Sequence, residues 1–430
     1  MKGSRVLRAA AMALVLTGST VAVSAAPGGA APAPVSIVYW SGHASGALHR
    51  AVVAEVAMFN RTHPGIHVTF RAIAAQNHAM AAFESGQAPN VGLITGVSRY
   101  QLEKAHVIVN LAPFISGRNG LTRAQIHTWF YPVVWAAMHD PDGAQYLMPN
   151  EKKSQVDIYY NESLFKQAGI KSPPRTWAQV GADAAAISRL GHEDHGIAWT
   201  PRVTQYFDMV LADGGRVYRP GPRRRAFDLQ NAGAVRALTM LRSWVKSGAM
   251  ILTSGYQFQL DFGTGHIGLL IDSAAGYTYD KSAVGGKFVM GGAPDPAGTA
   301  GFASQEISGT SNAMFNVGTA AQKAAAWTFM KWMASPATNA YWSRHTNYLP
   351  LGPAAYQLLK GFYRRHPAEA ANYSNPAHWW FAPRTPNDAA VTVALRAIFD
   401  KALNGTITPA QAVHQMDVTG TAYLSGKERG

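Results

Sequence analysis

A strand, a helix and a second strand follow one another with short links from residue 35, and this order restricts the possible folds more than any other feature. The β-branched, apolar run over 35–40 predicts a buried strand, and apolar residues at helical spacing over 48–60 predict an amphipathic helix. Alternating apolar residues over 66–70 predict the second strand. Such a unit packs as a right-handed crossover between parallel strands. The sequence therefore predicts an α/β fold with a largely parallel sheet.

The chain is long enough for two lobes. It has 430 residues, whereas one domain usually takes ~100–200. Hydrophobic residues make up 47% of the chain, which is enough for packed cores. Further strands are predicted over 156–160 and 267–271, and later helices over 233–247, 322–334 and 389–403.

The N-terminus is typical of an export signal. Lys2, Arg5 and Arg8 form a basic start, an apolar stretch over 9–16 follows, and small residues at 23–25 offer a cleavage site. The apolar stretch is shorter than the ~20 residues that a membrane-spanning helix needs. We therefore expect a signal peptide over 1–25, a spacer over 26–34 and a soluble protein in the periplasm or at the cell exterior. The absence of cysteine excludes disulfides and a lipid-modified N-terminal Cys.

The net charge of +14 is compatible with a nucleic acid, an anionic surface or an anionic ligand. The one tight basic cluster, Arg223 to Arg225, follows a loop rich in proline and glycine. A cluster of this kind is usually a solvated loop, so no nucleic-acid partner is expected.

Motifs for enzymes and metals are incomplete. The glycines over 263–268 match a dinucleotide fingerprint, but they precede a strand instead of following one. The histidines of 192–195 lack a second pair of ligands at a recognised spacing, so neither a metal nor a cofactor is expected. A secreted hydrolase acting on phosphoesters or glycans stays the alternative, because two catalytic acids can come from anywhere in a chain.

Four segments resemble family 1 extracellular solute-binding proteins of ABC transporters. The segments are 40–66, which includes Phe-Asn-Arg-Thr-His-Pro-Gly-Ile, 159–177, which begins Tyr-Tyr-Asn-Glu-Ser-Leu-Phe, 325–336, and the closing loop 346–350. The resemblance implies a two-lobed periplasmic-binding-protein fold of type II, with lobes joined by a hinge around a central cleft. It implies a monomer that performs no chemistry, captures a small polar solute and delivers it to the transmembrane subunits of an ABC permease.

The same resemblance implies the lobe boundaries. Lobe I would comprise 35–150 and 313–357, and lobe II would comprise 151–312 and 358–430.

The likeness is strongest to the glycerol-3-phosphate-binding type, and it implies a set of ligand-binding residues. These are Ser154, Ser273, Gly309, Tyr348 and Arg384. Without an insertion, Asp388 takes the place of Arg384. Hydroxyls, a backbone N–H and a phenol all donate hydrogen bonds of the kind that phosphate oxygens accept. The glutamate that holds glycerol in this type is replaced by Gly96, which leaves glycerol-3-phosphate, a glycerophosphodiester or a sugar open.

Aromatic residues supply a further set of candidates. Trp40 and Trp199 would either stack on a sugar face or fill the core, and the core is favoured for each. Trp379 and Trp380 lie in a segment rich in Asn, Pro and His, and are expected as exposed aromatics at the rim of the cleft.

Overall fold

The computed structural model describes residues 33–140, 143–220, 226–371, 373–383 and 387–425, without the side chains of 96–98, 388 and 389. The predicted signal peptide, most of the spacer, Arg223 to Arg225 and Arg384 lie outside the described residues.

Strands occur throughout the first 380 residues. They are β1 (Val35–Trp40), β2 (Ile66–Arg71), β3 (Val91–Ile94), β4 (Leu147–Pro149), β5 (Lys153–Ser154), β6 (Asp157–Asn161), β7 (His195–Trp199), β8 (Met250–Leu252), β9 (Ile267–Asp272), β10 (Met290–Ala293), β11 (Gln305–Ser308), β12 (Ser311–Met314) and β13 (Trp379–Trp380).

Helices connect and cover the strands. They are α1 (Gly46–Thr62), α2 (Ala75–Glu84), α3 (Gly96–Lys104), α4 (Ala112–Ser116), α5 (Arg123–Trp129), α6 (Pro132–Ala136), α7 (Glu162–Gln167), α8 (Trp177–Ile187), α9 (Val203–Ala212), α10 (Ala232–Lys246), α11 (Gln257–Phe262), α12 (Tyr277–Val284), α13 (Ala320–Met333), α14 (Pro336–Thr346), α15 (Pro353–Arg365), α16 (Pro367–Ala371), α17 (Asp388–Leu403) and α18 (Pro409–Leu424).

The first sheet contains the strand–helix–strand unit that the sequence predicts. Its order is β2-β1-β3-β12-β4, and β1 is parallel to both neighbours, with Val35 opposite Ile66 and Trp40 opposite Arg71. The late strand β12 is antiparallel to β3 and to β4, so the sheet is mixed instead of largely parallel. The buried face of α1 contributes Leu48, Val52 and Phe59 to the core of this lobe.

The second sheet forms a separate lobe with its own core. Its order is β10-β6-β9-β7-β8, with β7 parallel to β8 and β9, and with β6 antiparallel to β9 and β10. Gly263 and Gly265 lie between α11 and β9, and Gly268 lies within β9, so these glycines follow a helix instead of opening one. Helix α8 begins where the sequence predicts, because the Thr176 hydroxyl accepts a hydrogen bond from the Gln179 N–H at 3.2 Å.

A small third sheet lies where the chain passes between the lobes. Its order is β13-β11-β5, and β5 and β11 each connect a strand of the first sheet with a strand of the second. Trp379 and Trp380 form β13, pair in parallel with Gln305 and Glu306, and are buried. The expectation that these two tryptophans are exposed is therefore wrong, because Trp379 packs into the core of the first lobe and Trp380 into the core of the second.

Across the described residues, every helix is too short or too polar to cross a membrane.

Candidate functional site

A cavity of about 1050 Å³ opens between the two lobes. His43, Leu48 and Tyr348 line it from the lobe of the first sheet. The crossing strands and the other lobe supply a larger polar and aromatic lining. This lining includes Lys153, Gln155, Arg202, Tyr256, Gln259, Asp272, Ser273, Tyr279 and Glu306. A volume of this size is typical of a small-molecule site.

Two of the predicted ligand-binding residues meet in this cleft. Ser273 follows β9 in one lobe, and Tyr348 follows α14 in the other. Asn347, which ends α14 in the left-handed conformation, donates a hydrogen bond from Nδ2 to the Ala274 carbonyl at 3.0 Å. This contact joins the segments that carry Tyr348 and Ser273.

Tyr348 keeps its proton in this environment. Burial raises the pKa of its phenol well above the ordinary value of 10.0, and the negative charge of Glu151 raises it further. The ring packs 5.9 Å from that of Trp342. The phenol is therefore a fixed hydrogen-bond donor at the wall of the cleft.

Opposite charges face each other at the second lobe's side of the cleft. Arg202 Nη1 lies 3.7 Å from Asp272 Oδ1, and Gln259 Nε2 donates to Asp272 Oδ2 at 2.8 Å. Burial raises the pKa of Asp272, while Arg202 and the Gln259 hydrogen bond act in the opposite direction. Burial lowers the pKa of Lys153, although the charge of Asp272 partly offsets that effect. These groups can pair with a ligand that carries both charge and hydroxyls.

His43 connects the cleft with a buried carboxylate. Its Nε2 lies 2.9 Å from Glu151 Oε2, and Glu151 also accepts a hydrogen bond from the Thr310 hydroxyl. Lys152 Nζ donates to Ser311 Oγ at 2.8 Å beside them. The network spans both segments by which the chain crosses between the lobes.

Two tyrosines of the second lobe stand out from its surface at the cleft. Tyr256 is 70% exposed and Tyr279 is 49% exposed, and both line the cavity. A bound solute would remove the apolar area of these two rings from water, so they are suited to contact a ligand.

Ser154, in the crossing strand β5, is buried, and Gly309, directly after β11, is half-buried; neither is part of the cavity lining. Ser154 is fully buried and donates a hydrogen bond to Asp157 Oδ2 at 2.6 Å. Gly309 has a φ of +125°, and a Cβ at that position would lie 2.3 Å from the Glu151 carbonyl oxygen. Glycine is therefore required here by the backbone itself. A ligand-binding role for these two residues stays a prediction.

Trp40 and Trp199 are core residues in this structure. Trp40 packs in an apolar cluster of the first lobe. Trp199 is 1% exposed, and its Nε1 donates to Gln205 Oε1 at 2.6 Å. Both therefore fill the core, which is the reading that the sequence favours, and neither lines the cavity.

The choice between Arg384 and Asp388 stays open. Arg384 lies outside the described residues, and Asp388 begins α17 without a described side chain.

Several cleft residues have no motif that would identify them in the sequence. His43 lies inside a family-like segment, but neither the spacing nor the type of Lys153, Arg202, Tyr256 and Asp272 marks them as ligand-binding. Their proximity depends on how the two lobes meet.

The sequence profile of bacterial extracellular solute-binding proteins matches residues 54–372. The chain belongs to this family. The prediction of a binding protein instead of an enzyme is confirmed by that membership, and nothing found supports the hydrolase alternative.

Relatives of this solute-binding protein include the sn-glycerol-3-phosphate-binding periplasmic protein UgpB of Shigella dysenteriae. That relative is 23% identical over 442 residues, covering 96% of this chain and 98% of its own length. A putative binding protein of Brucella abortus is 30% identical over 111 residues, which span only 26% of that relative.

Solved structures share the fold. UgpB from Mycobacterium tuberculosis, in complex with glycerophosphocholine, has a TM-score of 0.76 at 17% identity, covering 91% of this chain and 98% of its own. The cyclic alpha-maltosyl-1,6-maltose binding protein of Arthrobacter globiformis has a TM-score of 0.73 at 18% identity, covering 91% and 100%. The predicted two-lobed periplasmic-binding fold is confirmed.

Proposed function

We propose that this protein captures a small polar solute with a glycerophosphate or sugar head group and delivers it to the permease of an ABC importer. The observation that carries the proposal is the meeting of Ser273 and Tyr348, from opposite lobes, in one cavity of about 1050 Å³. A ligand held by both lobes favours the closed arrangement, and closure commits the solute for delivery.

The donors of the cleft support a head group that carries negative charge. The Ser273 hydroxyl, the Tyr348 phenol and the cations Lys153 and Arg202 line the same cavity. Charge-assisted hydrogen bonds to phosphate oxygens are stronger than those between neutral groups. Two similar proteins support the same head group, because one binds sn-glycerol-3-phosphate and the other was solved in complex with glycerophosphocholine.

Other groups of the cleft suit the hydroxyls of the solute. The carboxylates of Asp272 and Glu306 accept hydrogen bonds, and Tyr256 and Tyr279 offer aromatic faces. A glycerophosphodiester and a sugar both present hydroxyls to such a wall.

The proposal includes the organisation of the chain. Lobe I comprises 35–150 and 313–357, and lobe II comprises 151–312 and 358–430. The crossing strands β5 and β11 act as the hinge. The protein works as an exported monomer after removal of 1–25.

A ligand screen tests the proposal. Purified protein is heated with glycerol-3-phosphate, glycerophosphocholine or maltose, and a ligand at ~100 Kd adds ~2.7 kcal/mol to the free energy of unfolding. We expect stabilisation by at least one of the three. Failure of all three, or consumption of the stabilising solute on prolonged incubation, would contradict the proposal.

Matched variants then locate the site by calorimetry. Ser273→Ala and Tyr348→Phe remove donors from the cleft, and a hydrogen bond to a charged group contributes ~1.5–3 kcal/mol. Ser243→Ala and Tyr341→Phe are the controls, because neither residue lines the cavity. Wild-type affinity in both cleft variants would exclude this site for the head group.

A further inference from the structure

The longest stretch of the chain without an acidic residue runs from 307 to 368. It forms β12 and the helices α13, α14 and α15, and α15 packs against α14 and α5. The cations of this stretch are not offset by any carboxylate within it. They are Lys323, Lys331, Arg344, Lys360, Arg364 and Arg365.

Helix α15 carries half of these cations on the side that faces away from the core. Its inner side packs against α14 in a small apolar cluster. Lys360, Arg364 and Arg365 are exposed. Leu358 is 53% exposed on the same outer side, and at 3.6 residues per turn Arg365 lies two turns beyond it along the helix. The outer side of α15 is therefore both basic and partly apolar.

The positive charges of this side lie close together. Arg365 Nη1 and Arg364 Nη2 lie 3.8 Å and 3.9 Å from the point that a Cβ on Gly361 would occupy, so the two guanidinium groups converge over the glycine. The guanidinium carbon of Arg344, on α14, lies 5.8 Å from the ring centre of Phe362 and adds a further charge beside α15. We call this surface the basic face, and its residues are Arg344, Leu358, Lys360, Arg364 and Arg365.

Acidic side chains do not neutralise the basic face. Within the described part of the chain, the ion pairs of arginines involve other residues, and none includes a cation of the basic face. Glu369, the first acid after α15, is 12% exposed and lies 3.5 Å from His366. Glu55, the one acid of α1, which packs against α14, is buried. The charge of the basic face is therefore directed to a partner outside the molecule.

Cations around an exposed leucine are typical of helices that lie on a lipid surface. The cations attract anionic headgroups, and the apolar side chain enters the boundary between the headgroups and the acyl chains. Long side chains such as those of Lys360 and Arg365 suit this position, because their stems are apolar while their charges reach the headgroups. An acidic protein segment would pair with the same cations but would not need Leu358.

We propose that the basic face binds an anionic phospholipid surface. The four cations contact the headgroups, and Leu358 inserts between them. The proposal goes beyond solute capture, because it concerns the outside of one lobe. Since no residue of the basic face lines the cleft, solute capture does not compete for it.

Co-sedimentation with vesicles tests the proposal. The mature chain from residue 26 is used, so that the apolar stretch over 9–16 does not contribute. Vesicles of phosphatidylcholine alone are compared with vesicles that contain about 30% phosphatidylglycerol, and we expect binding to the anionic vesicles only. Binding should weaken as salt rises from ~0.05 M to ~0.5 M, because salt screens exposed charges.

Two triple variants separate the basic face from the net charge of the protein. The first replaces the three cations of α15 by glutamine. Each cation near an anionic surface strengthens binding about fivefold, so this variant should bind anionic vesicles about a hundredfold more weakly. The second replaces three exposed lysines of the second lobe by glutamine and should bind nearly as the wild type does. These lysines are Lys166, Lys171 and Lys246.

A substitution at Leu358 separates a lipid surface from an acidic protein segment. Leu358→Ala should weaken binding to anionic vesicles at least about fourfold, which is the effect of one methylene that leaves an apolar environment. Val418→Ala is the control, because Val418 is 54% exposed on α18 in the second lobe. Circular dichroism checks that every variant is folded.

The outcomes decide between a lipid surface and other partners. Binding to anionic vesicles that is lost in the α15 triple variant, kept in the lysine control and weakened in Leu358→Ala supports the proposal. Absence of binding, equal binding to both kinds of vesicle, or equal loss in the two triple variants would overturn it. Loss in the α15 triple variant with wild-type binding by Leu358→Ala would also overturn it, and would indicate an acidic protein segment as the partner.

Discussion

His43 Nε2 lies 2.9 Å from Glu151 Oε2, and this pair joins the wall of the cleft to the segment that crosses into the second lobe. Burial lowers the pKa of His43, but the charge and hydrogen bond of Glu151 outweigh it, so the pKa is raised above 6.5. Burial raises the pKa of Glu151, but His43 and Thr310 outweigh it, so that pKa is lowered below 4.5. Both groups are therefore charged together over a range of pH that includes mild acidity.

The pair predicts a specific pH dependence of stability. The contribution of His43 is complete below its unfolded pKa and is lost as the pH rises through its raised folded pKa. The contribution of Glu151 is complete above its unfolded pKa and is lost as the pH falls through its lowered folded pKa. The ion pair therefore makes its full contribution to the free energy of unfolding between pH 4.5 and pH 6.5, the ordinary pKa values of the two groups.

Urea unfolding of His43→Gln measures this contribution. We expect the variant to be less stable than the wild type by ~1.5–3 kcal/mol near pH 6, the cost of a charge-assisted hydrogen bond. The difference should shrink as the pH rises above the folded pKa of His43. His67→Gln, at an exposed residue of β2, is the control. A difference that is constant from pH 5.5 to 9 would exclude the ion pair.

Ser154→Ala should affect stability instead of binding. Its hydroxyl donates to the fully buried Asp157, so removal leaves a carboxyl oxygen without that donor. We expect the free energy of unfolding to fall by ~1–3 kcal/mol and ligand affinity to stay unchanged. Urea unfolding and calorimetry on the same samples decide the matter. Loss of affinity with unchanged stability would instead support the ligand contact that the family likeness implies.

Trp199→Phe should lower the stability of the fold and affect ligand binding only indirectly. Trp199 Nε1 donates to Gln205, and Gln205 Nε2 donates at 2.7 Å to the backbone oxygen of Gln155, which lines the cavity. We expect a loss of ~1–3 kcal/mol in unfolding free energy, because the buried Gln205 loses a partner. Affinity should fall by less than in Tyr348→Phe. A larger loss of affinity than of stability would point to direct stacking on the ligand.

Substitution of Tyr256 or Tyr279 should weaken ligand binding and leave the stability of the fold nearly unchanged. Surface substitutions usually change stability by ~0.5 kcal/mol or less, whereas truncating an aromatic contact at a binding site costs ~1 kcal/mol or more. We expect Tyr256→Ala and Tyr279→Ala each to weaken binding at least about fivefold with little change in unfolding. Leu260→Ala is the control, since Leu260 is 62% exposed on α11 but lies outside the cavity lining. If all three variants changed ligand affinity equally, neither tyrosine would be a ligand contact.

Features that depend on local pattern are predictable from the sequence. The opening strand–helix–strand unit follows from periodicity over about forty residues, and Thr176 caps a helix through atoms three residues away. The likeness of short segments to a known family predicts that Ser273 and Tyr348 bind the ligand, and both line the same cavity, although their binding role stays a prediction. These signals are all contained in short stretches of chain.

Features that depend on distant contacts are not predictable in this way. Trp379 and Trp380 are buried because they pack against residues far away in the sequence: Trp379 lies against Tyr131, and Trp380 Nε1 donates to Asp208 Oδ1. Arg202 meets Asp272 only because β7 and β9 are neighbours in the sheet. Ser154 has the type expected of a phosphate donor, but the turn between β5 and β6 directs its hydroxyl to Asp157. Residue type alone does not show whether such a side chain contacts the ligand or is buried in the protein.

Closure of the two lobes around a solute is the central claim, and small-angle X-ray scattering tests it most directly. The radius of gyration is measured for the free protein and for the protein saturated with a solute that calorimetry has shown to bind. We expect a smaller radius in the saturated protein, and no such decrease for Tyr348→Phe at the same solute concentration. An unchanged radius of gyration in the saturated wild-type protein would contradict capture by hinge closure.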